Sequence, residues 1–532
     1  MDLDKLSKEE LLAMVKWFTV ENKKKDETIA MQKIQISNQE ERILQLEAEF
    51  KKVNTELQGY IEKYENKKQT LNKVLADTFA SKSEKLPKEA EAINEVEALA
   101  PKKKKKRKSS YDLFINDLKE LQSVVIIEDY EFEDEEMRNR VKPFGKDETY
   151  KIEMKPMSFE VVKHERPKYK DKDHIYQKTS DDVFPHSPLT PSLAANIIEM
   201  KYNLAIPLYR YAKYMNSFGL GLSPQDLCNY VMRTMEVLEP LYKELEVKLV
   251  NTKFKVIHGD ETDLKVVDSK KGKCYMFVYA TSLWDVAVYI YKFSETRKIS
   301  NTVELLNNFN GYYECDGYPG YDSLPESVGG KIKIQRCWVH QRRYFFDCIK
   351  SLPNEVAKKS PAYNVIKKID EMFACEAKMR EEKYTKIKIE KARNSEKYQK
   401  IIKELDEMIL AIEPGSNSYL RKAVNHYLND KDELYTFLED GYIDICNSLA
   451  ERAVKPFVIA RKNFLFCKTA NGAEVTGKMF SIVQTARANG LRSELYLKYV
   501  LENIGKTDIS KLLPWSSELP KELRISQDEG NQ

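Results

Sequence analysis

The sequence predicts a multidomain α/β protein, with a helical N-terminal arm, a small β module, a helical layer and a mixed-sheet core carrying an all-helical insertion. Three observations carry this. A chain of 532 residues exceeds what one hydrophobic core usually serves. Apolar residues recur every seven positions near the N-terminus, the repeat of a coiled coil. Between residues 251 and 350 the apolar pattern changes from helical spacing to the alternation of strands.

In the arm, Val15, Asn22, Ile29, Ile36, Ile43, Phe50 and Leu57 stand at strict seven-residue intervals, with Phe18, Leu46, Val53 and Tyr60 three residues further on. Residues 1–58 contain no Gly or Pro. This is a coiled-coil seam with Asn22 at an a position, where a buried amide fixes register and oligomer state. Lys25, Gln32 and Gln39 make the second seam position imperfect. Self-association through residues 1–64 is the expectation, against a single long helix packed on its own chain.

Residues 65–120 offer few apolar anchors and read as charged linker. They hold seven consecutive bases, Lys102, Lys103, Lys104, Lys105, Lys106, Arg107 and Lys108, offset in the net charge of +4 by seven acids between Glu128 and Glu136. Such a run is a solvated tail, or a phosphate contact where the chemistry concerns nucleic acid. Residues 121–187 alternate briefly and predict a small β module. Residues 188–250 return to helical spacing, with Ser223 and Pro224 at a helix start.

In the core, FKVIHGDETDLKVV, KCYMFVYATS and VAVYIYKF are three β-rich runs, TRKISNTVELLNNF is helical, and GYYEC and KIQRCWVH are two further runs each followed by helix. That order suits a ribonuclease-H-like fold. Residues 351–440 read as a charged helical insertion. Helical patterning from Ile443 to Ala453 and from Ala473 to Ala488, closed by Asn489-Gly490, completes the core over 441–505, and 506–532 form a polar tail.

The first twenty residues lack a basic n-region and cleavage site, so no secretory signal is predicted. The most apolar stretch, Tyr275 to Phe293, is broken by Thr281, Ser282 and Asp285 and reads as two strands around a turn, so no membrane span is expected. Eight cysteines without CxxC spacing suit a reducing cytoplasm.

Metal-dependent phosphodiester chemistry needs carboxylates converging from separate elements. Asp260 follows an apolar run, Asp316 follows GYYEC, and Glu451 lies in the helical NSLAERAVK. Asn447, Glu451 and Lys455 share one helix face at i, i+4, i+8, placing a base one turn beyond the carboxylate. Glu261 rivals Asp260, but alternation sends the two to opposite strand faces. Asp263, Glu314 and Asp322 read as surface acids. Cys337 and His340 invite a zinc reading, yet no second pair lies at zinc spacing. A buried Cys337 and Trp338, with His340, Arg342 and Arg343 near DNA phosphates, is expected instead. Arg461 and Lys462 in ARKNF are further expected phosphate contacts.

HGDETDLKVV, FNGYYECDGYPGYD, RCWVHQRRYFFD, NSLAERAVKPFVIARKNFLF and SIVQTARANGLRSELYLKYVL, in that order, closely resemble the transposase of the insertion sequence 66 family. Upstream FASKSEKL and SLAANIIEMKYNLAIPLYRY and downstream ISKLLPWS extend the resemblance over most of the chain. Motifs this long are far more specific than a short glycine pattern. The resemblance implies a DDE transposase with a ribonuclease-H-like core and a helical insertion, binding Mg²⁺ or Mn²⁺ and acting on the ends of its own element. By motif the catalytic and metal-binding acids fall on Asp260, Asp316 and Glu451, with Arg452 and Lys455 joining the other bases as DNA contacts. The 135 residues between Asp316 and Glu451 leave room for the insertion. Implied partners are DNA at element ends and target, a second copy, and accessory proteins of the same element, in a bacterial cytoplasm. Family members usually carry a zinc module with two CxxC pairs where this chain has residues 121–187, which contain no cysteine. Asp171 and His174 stand at the spacing of the second pair and nothing replaces the first, so no zinc is expected. Two other readings share these residues: a non-catalytic DNA-binding scaffold, and a metal nuclease that cuts without joining.

Overall fold

A computed structural model of the chain describes residues 8–79, 135, 138, 157–171, 174–178, 180–415 and 417–525. Helix α1 (Lys8–Phe79) is 72 residues long. Its seam residues Val15, Phe18, Ile29, Ile36, Ile43, Leu46, Phe50, Val53, Leu57 and Tyr60 are all exposed. The helix runs on through residues 65–79, which the sequence reading assigns to linker; they contain no Gly or Pro to stop it. The basic run 102–108, nearly all of the acidic stretch and most of the 121–187 module lie outside the described residues. Of that module the structure describes an antiparallel hairpin, β1 (Lys168–Asp171) and β2 (His174–Gln177), with Asp171 opposite His174.

The helical layer comprises α2 (Pro191–Ile198), which continues into a π turn (Glu199–Asn203), then α3 (Leu208–Asn216) and α4 (Pro224–Val250). Ser223 and Asp226 form a reciprocal capping box at the start of α4, a feature worth about 1 kcal/mol. Leu227, Val231, Leu238, Leu241, Leu245 and Leu249 recur at helical spacing and are buried in one core with the sheet.

The alternating segment folds into β3 (Val256–Leu264), β4 (Cys274–Thr281), β5 (Tyr289–Ser294), helix α5 (Ser300–Leu306), β6 (Gly311–Cys315) and β7 (Ile332–Arg336). The sheet order is β5-β4-β3-β6-β7. The first three strands are antiparallel, and β3–β6 and β6–β7 are parallel, so the protein is a mixed α/β structure. β4 reads CYMFVYAT without alternation because helices cover both of its faces. Pairing of Asp260 with Val278 and of Glu261 with Phe277 sorts β3, putting His258 and Asp260 on one face and Gly259 and Glu261 on the other.

Helix α6 (Trp338–Ile349) leaves β7 and leads into the insertion: α7 (Asn354–Lys359), α8 (Pro361–Glu381), α9 (Lys386–Arg393), α10 (Glu396–Leu410) and α11 (Ser418–Asn429). These helices bury a second core around Trp338, Phe345, Ile366, Met372, Leu405 and Tyr427. Trp338 Nε1 donates to Leu434 O at 2.7 Å, which satisfies its one buried donor. The chain returns as α12 (Ser448–Phe464), packed over β3 and β4, followed by α13 (Ala470–Ala488) and α14 (Ser493–Asn503). Helix α12 begins at Ser448, not at Ile443 as the apolar pattern suggests. Ile443 and Ile445 are buried at a spacing of two, and Ile445 O accepts from Trp338 N at 3.1 Å. The C-terminal segment is anchored rather than loose, since Leu512, Leu513, Leu519 and Leu523 are buried. Among the described residues no helix is long and apolar enough to cross a membrane.

Candidate active site

Three acids reach one region from three elements: Asp260 in the middle of β3, Asp316 directly after β6, and Glu451 in the first turn of α12. Asp260 Oδ1 accepts from Glu261 N at 2.8 Å, and Asp316 Oδ1 accepts from Tyr318 N at 3.0 Å, which orients each carboxylate. Burial raises the Asp260 carboxyl to about 8, helped by the negative charges of Asp316, Glu261 and, more weakly, Glu451. Asp316 and Glu451 are therefore each within electrostatic reach of Asp260. Glu451 Oε1 is buried without a hydrogen bond, and His340 Nδ1 lies 3.7 Å from it.

Ligand atoms of Cys337, His340 and Glu451 lie within 4.8 Å of one another, a grouping that zinc spacing in the sequence does not reveal. Burial pushes the Cys337 thiol up, so it stays neutral, and its Sγ accepts from Asn447 N at 3.2 Å. Cys337 and Trp338 are buried, as the sequence reading expects.

The rival acids separate by their partners. Glu261, on the opposite strand face, accepts from Arg297 Nε at 2.7 Å and from the Tyr321 hydroxyl at 2.5 Å. Arg297 lies 3.8 Å over the Tyr318 ring. Asp263 and Asp322 are exposed and pair with Arg461 and Arg336. Glu314 is not a surface acid: it is 1% exposed. It precedes Asp316 by two residues and so turns inward on the same face, where it meets His258, the residue two before Asp260. His258 Nδ1 is 3.1 Å from Glu314 Oε2, and its Nε2 is 3.9 Å from Asp444 Oδ2. Asp444 N donates to Glu314 Oε1 at 2.7 Å, and Arg380 of α8 donates to Asp444 Oδ1 at 2.6 Å. A buried His–Glu–Asp layer thus lies beneath the three candidate acids. Burial raises Glu314 well above the usual carboxylate range and lowers His258 to about 4.

The expected DNA contacts also divide. Arg342 is buried, and its guanidinium forks onto Asp370 at 2.6 and 3.0 Å, holding α6 to α8; it is not presented to a phosphate. Arg461 pairs with Asp263 at 2.7 Å. Arg343 is partly exposed, and Arg452, Lys455 and Lys462 are exposed along α12. The insertion touches the site directly, because a Cβ at Gly317 would fall 2.3 Å from His426 Nε2 on α11. Sequence reading passed over His258, Asp444 and His426. Strand parity flags His258, whereas the other two come from the distant insertion and the segment after it.

A mixed sheet that gathers carboxylates from two strands and a helix at its edge defines an α/β protein with a candidate metal centre. Comparison with known families places it more closely. The model of the Transposase IS66 family matches residues 186–475, and that of the IS66 C-terminal element matches residues 481–515. The chain belongs to the IS66 transposase family. Similar curated proteins are the uncharacterized proteins y4jD and y4qI of Sinorhizobium fredii. The first is 27% identical over 352 residues, covering 62% of this chain and 66% of the relative. The second is 26% identical over 412 residues, covering 70% and 71%. The chain thus spans about two thirds of the length of these relatives.

Proposed function

We propose that this protein is a DDE-type DNA transposase, which cleaves the ends of its mobile element and joins the freed 3′ hydroxyl to target DNA. The observation that supports the reading is that Asp316 and Glu451, from separate elements, both act electrostatically on the buried Asp260 carboxyl. The residues fit divalent cations. The donors are hard oxygens, which suit Mg²⁺ or Mn²⁺, and both the raised Asp260 carboxyl and the unbonded Glu451 Oε1 are relieved by a cation. Two such cations, when bound, supply charge neutralisation and activation of the attacking and leaving oxygens.

The chain's own contribution is placement. Asp260 stands on β3 and Asp316 directly after β6, and Glu451 joins them from α12. His340, beside Glu451, and Arg452, Lys455 and Lys462 along α12 suit DNA phosphates, with the basic run 102–108 adding contacts outside the fold. The sheet order and the helical insertion support a ribonuclease-H-like core divided over 251–350 and 441–505. The exposed seam of α1 supports self-association with a second copy, since single-copy burial leaves ten of its apolar residues in water. Action in a bacterial cytoplasm, with accessory proteins of the same element, follows the same reading.

Incubating the purified chain with DNA bearing the ends of its element, with and without Mg²⁺, tests the proposal. Metal-dependent cleavage followed by strand transfer is expected. Cleavage without joining would assign a nuclease, and DNA binding alone a scaffold. Sedimentation of residues 1–79 should report an oligomer, and a monomer at high micromolar concentration would remove the coiled coil.

A further inference from the structure

We propose that Asn447 is a positioning residue that ties the strand carrying Asp260 to the first turn of the helix carrying Glu451, fixing the separation at which both carboxylates hold a divalent cation. The inference rests on the reading of Asp260, Asp316 and Glu451 as a metal-binding set.

Asn447 is 1% exposed and stands immediately before α12. A residue at this position ordinarily turns its side chain onto the free N–H groups of its own helix. Asn447 makes no such cap. Its Nδ2 instead donates to Gly259 O at 2.7 Å, the carbonyl of the peptide that joins Gly259 to Asp260. Its Oδ1 lies 3.2 Å from His258 Nδ1, two residues before Asp260. Its backbone N–H donates to Cys337 Sγ at 3.2 Å, and its carbonyl accepts from Glu451 N at 3.3 Å. One buried side chain therefore grips the strand on either side of the Gly259 α-carbon, while its own backbone begins the turn that presents Glu451. From the other face, Gly259 is pressed by the Tyr313 ring: a Cβ there would fall 1.8 Å from the hydroxyl. The strand cannot slide away from either contact. His258 passes the restraint on to Glu314 and Asp444, and Asp444 to Arg380 of the insertion.

Metal affinity depends on such outer partners, whose loss typically weakens binding by about 10- to 100-fold. The test is Mn²⁺ binding to the purified full chain, read from the paramagnetic resonance signal of free Mn²⁺, alongside the unfolding temperature. Asn447→Ala removes the tether. Asn447→Ser is the sharper variant, because serine caps the helix start and keeps it stable yet is too short to reach Gly259 O. Both variants should lose Mn²⁺ affinity by about 10- to 100-fold, with Asn447→Ser unfolding within a few degrees of the parent. If Asn447→Ala fails to fold, Asn447→Ser carries the comparison. Parental Mn²⁺ affinity in Asn447→Ser, while Asp260→Asn abolishes binding, overturns the positioning role alone. A parent chain that binds no Mn²⁺ through Asp260 overturns the metal-set reading, and the positioning role with it.

Discussion

Two layers of ionisable residues follow the same strands, His258 and Asp260 on β3 and Glu314 and Asp316 along and just beyond β6, and their chemistry differs. The lower layer, His258, Glu314 and Asp444, is buried and has a cation of its own: Arg380 grips Asp444, and the Asp444 amide donates to Glu314 Oε1, while Glu314 Oε2 and His258 Nε2 make no hydrogen bond. In the upper layer, Asp260, Asp316 and Glu451, burial pushes the Asp260 carboxyl to about 8, and the charges of Asp316 and Glu451 add to that rise. Strand parity puts His258 with Asp260 and Glu314 with Asp316 on one face, and the segment before α12 and α12 itself add Asp444 and Glu451. What separates scaffold from candidate site is whether the protein supplies the counter-charge or leaves that to a bound ion.

The largest expected effect breaks the upper layer. Asp260→Asn removes a charge with little change of volume. It should lower cleavage of element-end DNA on the order of a thousandfold or more, the loss of several kcal/mol of metal-borne stabilisation, while leaving DNA binding in a mobility-shift assay intact. Cleavage near the parental rate would return Asp260 to the structural acids.

Breaking the lower layer should act on stability instead. Arg380→Met leaves Asp444 buried without its partner. Because the Arg380 side chain is 39% exposed, the cost should be about 1–3 kcal/mol, less than for a fully buried pair, measured as a shift in the denaturant midpoint. An unchanged midpoint would show that the lower layer is not balanced through Arg380.

The raised Asp260 carboxyl sets a pH dependence. In metal-free protein the folded state keeps a proton that the unfolded chain has released, so this residue's contribution to stability is present at low pH and lost as pH rises from 3.8 to about 8. Metal-free Asp260→Asn should therefore unfold at a higher temperature than the parent at pH 8, with the gap closing toward pH 4. Saturating Mg²⁺ should stabilise the parent and not the variant. A gap independent of pH would mean that the folded chain does not raise the Asp260 carboxyl.

The smallest effect concerns zinc. Residues 121–187 offer only His164, His174 and His186 and no cysteine, and the groupings Cys337–His340–Glu451 and His258–Glu314–Asp444 each supply three ligands where a structural zinc takes four. Elemental analysis should find far less than one zinc per chain, and one tightly held zinc would point to a structural site.

Much of this was legible in the sequence. The β-rich composition of KCYMFVYATS and VAVYIYKF marks the antiparallel strands, and the helical spacing after Ser223 marks α4. Asp260, Asp316 and Glu451 stood out because each lies within a long motif, after an apolar run or on a helical segment. Glu314 did not, because its burial depends on Asp444, 130 residues away. Arg342 looked like a phosphate ligand because its partner Asp370 belongs to the insertion. The start of α12 was set too early because Ile443 and Ile445 are buried in a bent, non-helical segment whose Ile445 carbonyl bonds the first residue of α6. Local pattern carries element type and strand face, whereas the partner of a buried charge is fixed by tertiary packing.

The most direct test of the distinction between the layers is an anomalous difference map from crystals of the full chain grown with Mn²⁺. Peaks bridged by Asp260, Asp316 and Glu451, with none among His258, Glu314 and Asp444, are the expected result. A peak in the lower layer, or none in the upper one at saturating Mn²⁺, would contradict the assignment of the upper acids as the metal-holding set.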